Sequence, residues 1–390
     1  MPSAAAGLNW PGVRTLRSER FRIVLAITLW VAASTVLGLV LARQAASPTG
    51  QYGFDFAVYY EAAGTVAAGG SPYGPAMFEG PVPAQGVYIF KYAPPFAQML
   101  VPLTALDLAT ATGVWVVIQA ALIFAGLWLA VRAGGAPRTV ETVCWVGVAA
   151  TLFLPNFDTL WKGNVSGALA FTIGLTLAGA VRGGGGVAVA ALLKTTPVVL
   201  LPATVAAGRS AWLGAALLAP VVAVSFLLAP AAWIDFVRVL PNLVAGDARF
   251  ATNISPDNLL AYALPAAPFA AEVVRWLSLA AGVLAIVGSV FLARRSGGWP
   301  AAVTLGVAAM LLLPSSNWYH YLCVLLPLAA FAWPRAGRGP RAGLLGGAAC
   351  VSVAVAVLPL AVAGSVLMIG ASLFALWPRP APARLSAPAA

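Results

Sequence analysis

The chain has 390 residues, of which 61% are hydrophobic and 8% charged, against about 25% charged in an ordinary soluble domain. That composition excludes a water-soluble globular protein and gives an all-α polytopic membrane protein. The net charge of +11 comes with no basic soluble domain, which argues against nucleic acid and assigns the arginines to cytoplasmic loops and anionic lipid.

Residues 1–20 are polar, with Arg14, Arg17 and Arg20, and read as a cytoplasmic N-terminus. Residues 21–42 are long enough to cross about 30 Å of hydrocarbon and read as an uncleaved anchor. The positive-inside rule then places 44–92 outside as a first loop. In it, Phe56, Tyr59, Ala63 and Val66 recur at helical spacing, so 56–68 reads as an amphipathic helix along the interface. Gly69-Gly70-Ser71-Pro72-Tyr73 breaks it, and Lys91-Tyr92-Ala93-Pro94-Pro95 returns the chain to the membrane.

Apolar runs follow at 95–106 and 108–131, around Asp107, and at 140–154. Asn156 to Asn164 reads as a short polar link before the run at 165–181. Residues 187–207 are interrupted by Lys194-Thr195-Thr196-Pro197, and 211–229 precede a second outer loop at about 231–258. Runs at 270–293, 301–314 and 318–333 are followed by 343–376, long enough for two helices broken near Pro359. A tail, 378–390, ends the chain, which forms a single membrane domain of about 11–12 spans. A full crossing by 95–106 would put Arg132, Arg138 and Arg182 outside. We therefore read 95–106 and the halves of 187–207 as re-entrant or discontinuous pieces. Such backbone is tolerated at membrane depth only beside protein or a wet cavity.

Few residues are able to carry chemistry in so apolar a chain. Asp55 sits among Tyr52, Phe54, Phe56, Tyr59 and Tyr60. It reads either as a helix N-cap or as a base whose basicity is raised by partial desolvation, with aromatic faces on which a sugar ring packs. Glu61 reads as a solvated or Lys-paired group. His320, in Ser315-Ser316-Asn317-Trp318-Tyr319-His320-Tyr321, reads as an interfacial histidine held by a backbone carbonyl or as a ligand for phosphate or sugar hydroxyl, with Asn317 and Ser315 as helpers. Lys194 lies inside an apolar run, where an ammonium costs about 3 kcal/mol on insertion scales. It either snorkels to an interface or serves a site. Lys91 and Arg249 are similar point-charge partners for phosphate. Cys144, Cys323 and Cys350 lie in apolar runs without CxxC spacing, so neither zinc nor a disulfide framework is indicated.

Several motifs stand in a fixed order. They are Phe54-Asp55-Phe56-Ala57-Val58-Tyr59-Tyr60, Gly70-Ser71-Pro72-Tyr73, Phe90-Lys91-Tyr92-Ala93-Pro94-Pro95, Lys162-Gly163-Asn164-Val165-Ser166, Leu193-Lys194-Thr195-Thr196-Pro197 and a late Ser-x-x-Trp-x-His. This ordered set resembles glycosyltransferase family 87, of the glycosyltransferase-C superfamily, over roughly residues 50–335. At 162–164 the chain has Lys-Gly-Asn where Asn-Gly-Gln is common in the family. The resemblance implies a many-helix membrane fold and an active site on the outer face. It implies an aspartate base in the first outer loop, at Asp55, and a histidine in a late outer turn, at His320. Known members use polyprenyl-phosphate mannose or transfer arabinofuranose.

The chemistry expected from the residues agrees with that resemblance. An acceptor hydroxyl needs a base, Asp55, and a departing polyprenyl phosphate needs positive charge, from among Lys194, Lys91, His320 and Arg249. Tyr59, Tyr92, Asn164 and Asn317 complete the substrate-binding candidates. The expected partners are a lipid-linked sugar donor, a lipid or glycan acceptor and membrane lipid. No metal or cofactor is called for beyond the polyprenyl-phosphate-linked sugar. The expected place is the plasma membrane, with inversion at the anomeric carbon. A transporter or flippase of a lipid-linked substrate is the alternative reading, and a non-catalytic assembly subunit the third.

Overall fold

The computed structural model describes residues 18–47, 51–82, 89–179, 183–244 and 252–378, and no strand occurs among them. The apolar runs are helices, and the breaks between them fall where a cap, a glycine or a proline interrupts the backbone. Helix α1 (Glu19–Ala45) opens on Ser18, whose hydroxyl accepts from the Phe21 N–H at 3.2 Å. Ala26 is its one buried residue, and its other side chains suit lipid. Helix α2 (Phe54–Ala67) opens on Gly53 and buries Phe56, Val58, Tyr59, Ala62 and Ala63 against the protein. It is thus a core helix rather than one lying on the surface.

Helix α3 (Pro94–Leu100) is seven residues long and passes into a 3-10 turn, Val101–Ala105. Both ends of this stretch return to α2. The Tyr92 and Tyr59 hydroxyls are 2.7 Å apart, and Tyr60 donates to the Leu106 carbonyl at 2.7 Å. The stretch therefore does not cross the bundle. Asp107, which interrupts the apolar pattern, caps α4 (Leu108–Ala133), accepting from the Thr110 N–H at 3.0 Å and hydroxyl at 2.6 Å.

Helices α5 (Val140–Leu152) and α6 (Leu154–Lys162) meet at a 64° bend. Asn156 to Lys162 was expected to be a polar link. It is a helix, with Pro155 in its first turn and Asn156, Asp158 and Thr159 buried. Helix α7 (Ser166–Leu177) runs parallel to α4. The Ala168 N–H donates to Gln119 Oε1 at 2.9 Å, and lower down Gly126 faces Gly174 so closely that a Cβ on Gly126 would lie 2.7 Å from the Phe171 Cα. Small residues of this kind let membrane helices approach without hydrophobic drive.

The expected break at Lys194 is present. Helix α8 (Gly184–Leu193) ends at Lys194, which is extended, and a 3-10 turn (Thr196–Leu200) leads into α9 (Leu201–Ala206). Gly184 lies directly against the backbone of Ala211 in α10 (Arg209–Ala216). The segment thus enters and leaves at one end of the bundle, with Lys194 at its tip. Then follow α11 (Leu218–Leu228), α12 (Pro230–Val244), α13 (Pro256–Ala263), α14 (Pro268–Ala293) and α15 (Trp299–Leu312). A 3-10 turn (Tyr319–Val324) enters α16 (Leu325–Ala332). The last apolar stretch divides into α17 (Arg338–Val353) and α18 (Pro359–Leu376) near Pro359, as expected.

Among the described residues, five stretches are helical, long and apolar enough to cross a bilayer: α1, α4, the pair α10–α11, α14 and α18. The bent pair α5–α6 makes a sixth. The other helices are shorter than that, so the described residues give five to six candidate spans where the sequence reading expects 11–12.

The contacts distinguish two ends of the bundle, with Arg275 bonding the Leu313 and Pro314 carbonyls on the side of the late turn. At one, Arg22 bonds Glu141 at 2.7 and 3.1 Å and Arg335 donates to the Ala133 carbonyl at 2.9 Å. Trp299, just after Arg294 and Arg295, donates to the Thr176 carbonyl at 3.0 Å at that same end. At the other, Gly53, Trp115, Trp161 and Gly163 meet.

Candidate functional site

Two glycines bring the first loop onto the end of α6. Gly53 has φ +72° and donates its N–H to the Trp161 carbonyl at 2.9 Å. Gly163 has φ +65°, and a Cβ there would stand 2.8 Å from the Phe56 Cβ. Both positions need the left-handed backbone that glycine adopts freely. Their close approach sets Asp55, two residues after Gly53, beside Asn164, one residue after Gly163.

Asn164 Nδ2 donates to Asp55 Oδ2 at 2.7 Å and to the Tyr59 hydroxyl at 3.2 Å. Its orientation is fixed from behind, since Asn164 Oδ1 accepts from the Ser166 N–H at 3.0 Å and hydroxyl at 2.6 Å. Asp55 does not cap α2, because Gly53 holds that position and no side-chain cap is made. The carboxylate is half-buried, and its Oδ1 has no hydrogen bond to the described residues.

The aromatics around Asp55 mostly form the floor beneath it. Phe56 is buried and stacks on Trp115 at 5.6 Å, and Tyr59 is buried edge-on to Tyr92 and Phe96 at 5.0 and 4.9 Å. The Tyr92 carbonyl accepts from the Tyr73 hydroxyl at 2.6 Å. Tyr59 and Tyr92 therefore present hydroxyls rather than ring faces, while Phe54 is exposed and Tyr52 half-buried.

Three basic side chains bear on the site around Asp55. Its charge acts on Lys194 and on His320, and Lys91 acts on Lys194. Lys194 Nζ is buried, has no hydrogen-bond partner among the described residues, and stands 2.9 Å from the centre of the Tyr321 ring. That cation–π contact offsets part of its desolvation. Met310, Leu311 and Leu169 close a small recess around it. Lys91 is open to solvent, yet surrounding protein lowers its pKa below the ordinary lysine value by desolvation.

His320 is buried in the turn Tyr319–Val324. Its Nδ1 donates to Asp158 Oδ2 at 3.2 Å, the same oxygen that accepts from Lys162 at 3.2 Å. In sequence alone 156–164 reads as a link, which leaves Asp158, Lys162 and the orienting Ser166 without a role. The signal for the first two was their i, i+4 spacing in a chain with only 11 acids. The reading of His320 as held by a backbone carbonyl does not apply to its side chain: a carboxylate holds it.

Asn317 lies apart from Asp55, in a polar knot. Its N–H donates to Asn253 Oδ1 at 2.8 Å, its carbonyl accepts from the Ile254 N–H at 2.8 Å, and its Nδ2 donates to the Leu311 carbonyl. Asn253 also donates to the Ser315 carbonyl at 3.0 Å. These bonds anchor 252–258 to the start of the late turn. Arg249 lies outside the described residues.

An apolar groove of about 280 Å³ opens beside this knot, lined among others by Ile254, Leu311, Leu322, Val362, Val366 and Ile369. Leu311 also borders the recess around Lys194, so the groove and the recess share a wall.

No significant match was found among curated proteins or among solved structures. A family model does match, glycosyltransferase family 87, over residues 90–316. That segment contains Lys91, Tyr92, Asp158, Lys162, Asn164 and Lys194. Asp55 and His320 flank it, and each is tied into it by a hydrogen bond, from Asn164 and to Asp158. With a match over more than half of its length, the chain belongs to glycosyltransferase family 87 and is a membrane glycosyltransferase.

Proposed function

We propose that this enzyme moves a sugar, mannose in the first instance, from a polyprenyl-phosphate donor to a hydroxyl of a lipid-linked or glycan acceptor. The observation that carries the reading is the pairing of one oriented carboxylate with fixed cations. Asp55 is held by Asn164 on one oxygen, Lys194 and His320 lie within its field, and Lys91 acts on Lys194.

Asp55 Oδ1 takes the proton from the acceptor hydroxyl as that oxygen bonds the anomeric carbon. The bond from that carbon to the phosphate oxygen breaks on the opposite face, which inverts the centre. The departing polyprenyl phosphate gains charge as it leaves, and preorganised cations meet that charge where water is excluded. Lys194 is suited to this role because its amine is desolvated and unpartnered until an anion arrives. The groove between α15 and α18 is suited to the first isoprene units of the donor.

The arginines gathered at the end remote from Asp55 support an active site on the extracytoplasmic face of the plasma membrane, by the positive-inside rule. The test is a panel of defined polyprenyl-phosphate sugars presented to the purified protein in proteoliposomes. The expected result is sugar transfer to a lipid or glycan acceptor, strongest from the mannose donor. Translocation of the donor with no transfer of any sugar would overturn the proposal in favour of a flippase.

A further inference from the structure

The chain contains a single histidine, and the fold uses a buried carboxylate to hold it. Asp158 sits on α6 and His320 on the 3-10 turn before α16, 162 residues later. The two are joined at 3.2 Å, and the Thr159 hydroxyl reaches the His320 carbonyl at 3.5 Å. Asp158 Oδ2 is an acceptor only, since Lys162 donates to it as well, so the hydrogen on this bond belongs to Nδ1. The opposite ring nitrogen, Nε2, is shut away from bulk water and has no partner among the described residues. The groups acting on the ring are Asp158 and Lys162 from α6 and Asp55 from α2, with the Tyr321 ring edge-on at 4.7 Å.

We infer that Asp158 is a positioning residue that fixes the tautomer and charge of His320 for an anionic phosphate ligand at Nε2. With Nδ1 committed to Asp158, Nε2 of the neutral ring is a bare acceptor and repels a phosphate oxygen. It donates to phosphate only as the imidazolium, and the carboxylate of Asp158 is the counter-charge that lets a buried ring carry that proton. Lys162, sharing the same oxygen, keeps Asp158 ionised when the ring is neutral. Losing a hydrogen bond between charged partners is expected to change binding or activity by about 10–100-fold. This inference rests on the transferase reading only for the identity of the phosphate ligand.

The single histidine makes the test direct. Protein labelled with [15N]histidine gives one pair of ring-nitrogen signals. The expected spectrum of the ligand-free protein has Nδ1 protonated, Asp158→Ala loses that preference, and added polyprenyl phosphate moves both nitrogens to imidazolium values. A ring protonated at Nε2 alone in the unsubstituted protein would overturn the inference, whatever reaction the enzyme performs. A second arm uses transfer kinetics. Asp158→Asn is expected to lower kcat/KM by about 10–100-fold in the native background. In a His320→Ala background it is expected to add less than about twofold, because residues acting through one another are not additive. Losses that multiply would show Asp158 to be structural only and would also overturn it. If no donor is turned over at all, the transferase reading fails while the spectra still decide the role of Asp158.

Discussion

Asp55→Asn is expected to lower the transfer rate by about a thousandfold, roughly 4 kcal/mol of barrier, and to change donor affinity by less than about threefold. The substitution keeps shape and keeps an oxygen for the Asn164 Nδ2 bond, 2.7 Å in the native protein. It removes only the ability to take a proton. Because Asn164 is itself clamped by Ser166, the loop has no reason to rearrange. Initial rates with radiolabelled polyprenyl-phosphate mannose, set beside a thermal-shift titration with the same donor, separate the two quantities. Turnover near that of the native enzyme would remove Asp55 as base, and a silent substitution is what a non-catalytic assembly subunit would show.

The second large effect is at Lys194. Lys194→Met keeps the length of the side chain and its contacts with Leu169, Met310 and Leu311 but removes the charge. We expect a loss of about a hundredfold or more in kcat, the size seen when one preorganised group is taken from a developing anion. We also expect the ligand-free protein to melt no lower than the native one. An ammonium buried without a hydrogen bond is costly to keep out of water, and the ring of Tyr321 returns only part of that cost. Lower activity together with undiminished stability marks a residue kept for chemistry. A large fall in melting temperature with activity per folded molecule intact would mark Lys194 as a packing element.

Much of this architecture was legible from residue order. The apolar runs at 108–131 and 270–293 became α4 and α14 within a few residues. The re-entrant character of 95–106 followed from its shortness and from where the arginines had to lie, and the Tyr59–Tyr92 and Tyr60–Leu106 contacts account for it physically. The break at Lys194 was marked by a charge and a proline in an apolar run.

The misreadings share one cause. In a membrane protein, polarity signals either an exposed link or an inward-facing site, and hydropathy alone does not distinguish them. Asn156 to Lys162 was taken for a link, yet it is a helix whose polar face points into the protein. The aromatics near Asp55 were taken for a sugar platform, yet Phe56 and Tyr59 point the other way, into the core with Trp115 and Phe96. The capping alternative for Asp55 failed because a left-handed glycine, not a side chain, starts α2. Asn317 lines the apolar groove, and its backbone is held there by Asn253 from the preceding loop. That partner is 64 residues away and has no local signature.

The most direct test is a structure of the enzyme bound to a non-reactive polyprenyl-phosphate sugar. The expected result is the phosphate within hydrogen-bond reach of Lys194 Nζ, about 2.7–3.2 Å, the prenyl chain in the groove between α15 and α18, and the sugar lying between that phosphate and the Asp55 carboxylate. A donor bound at the arginine-rich end, or one whose sugar is walled off from Asp55 by the aromatic floor, would contradict it.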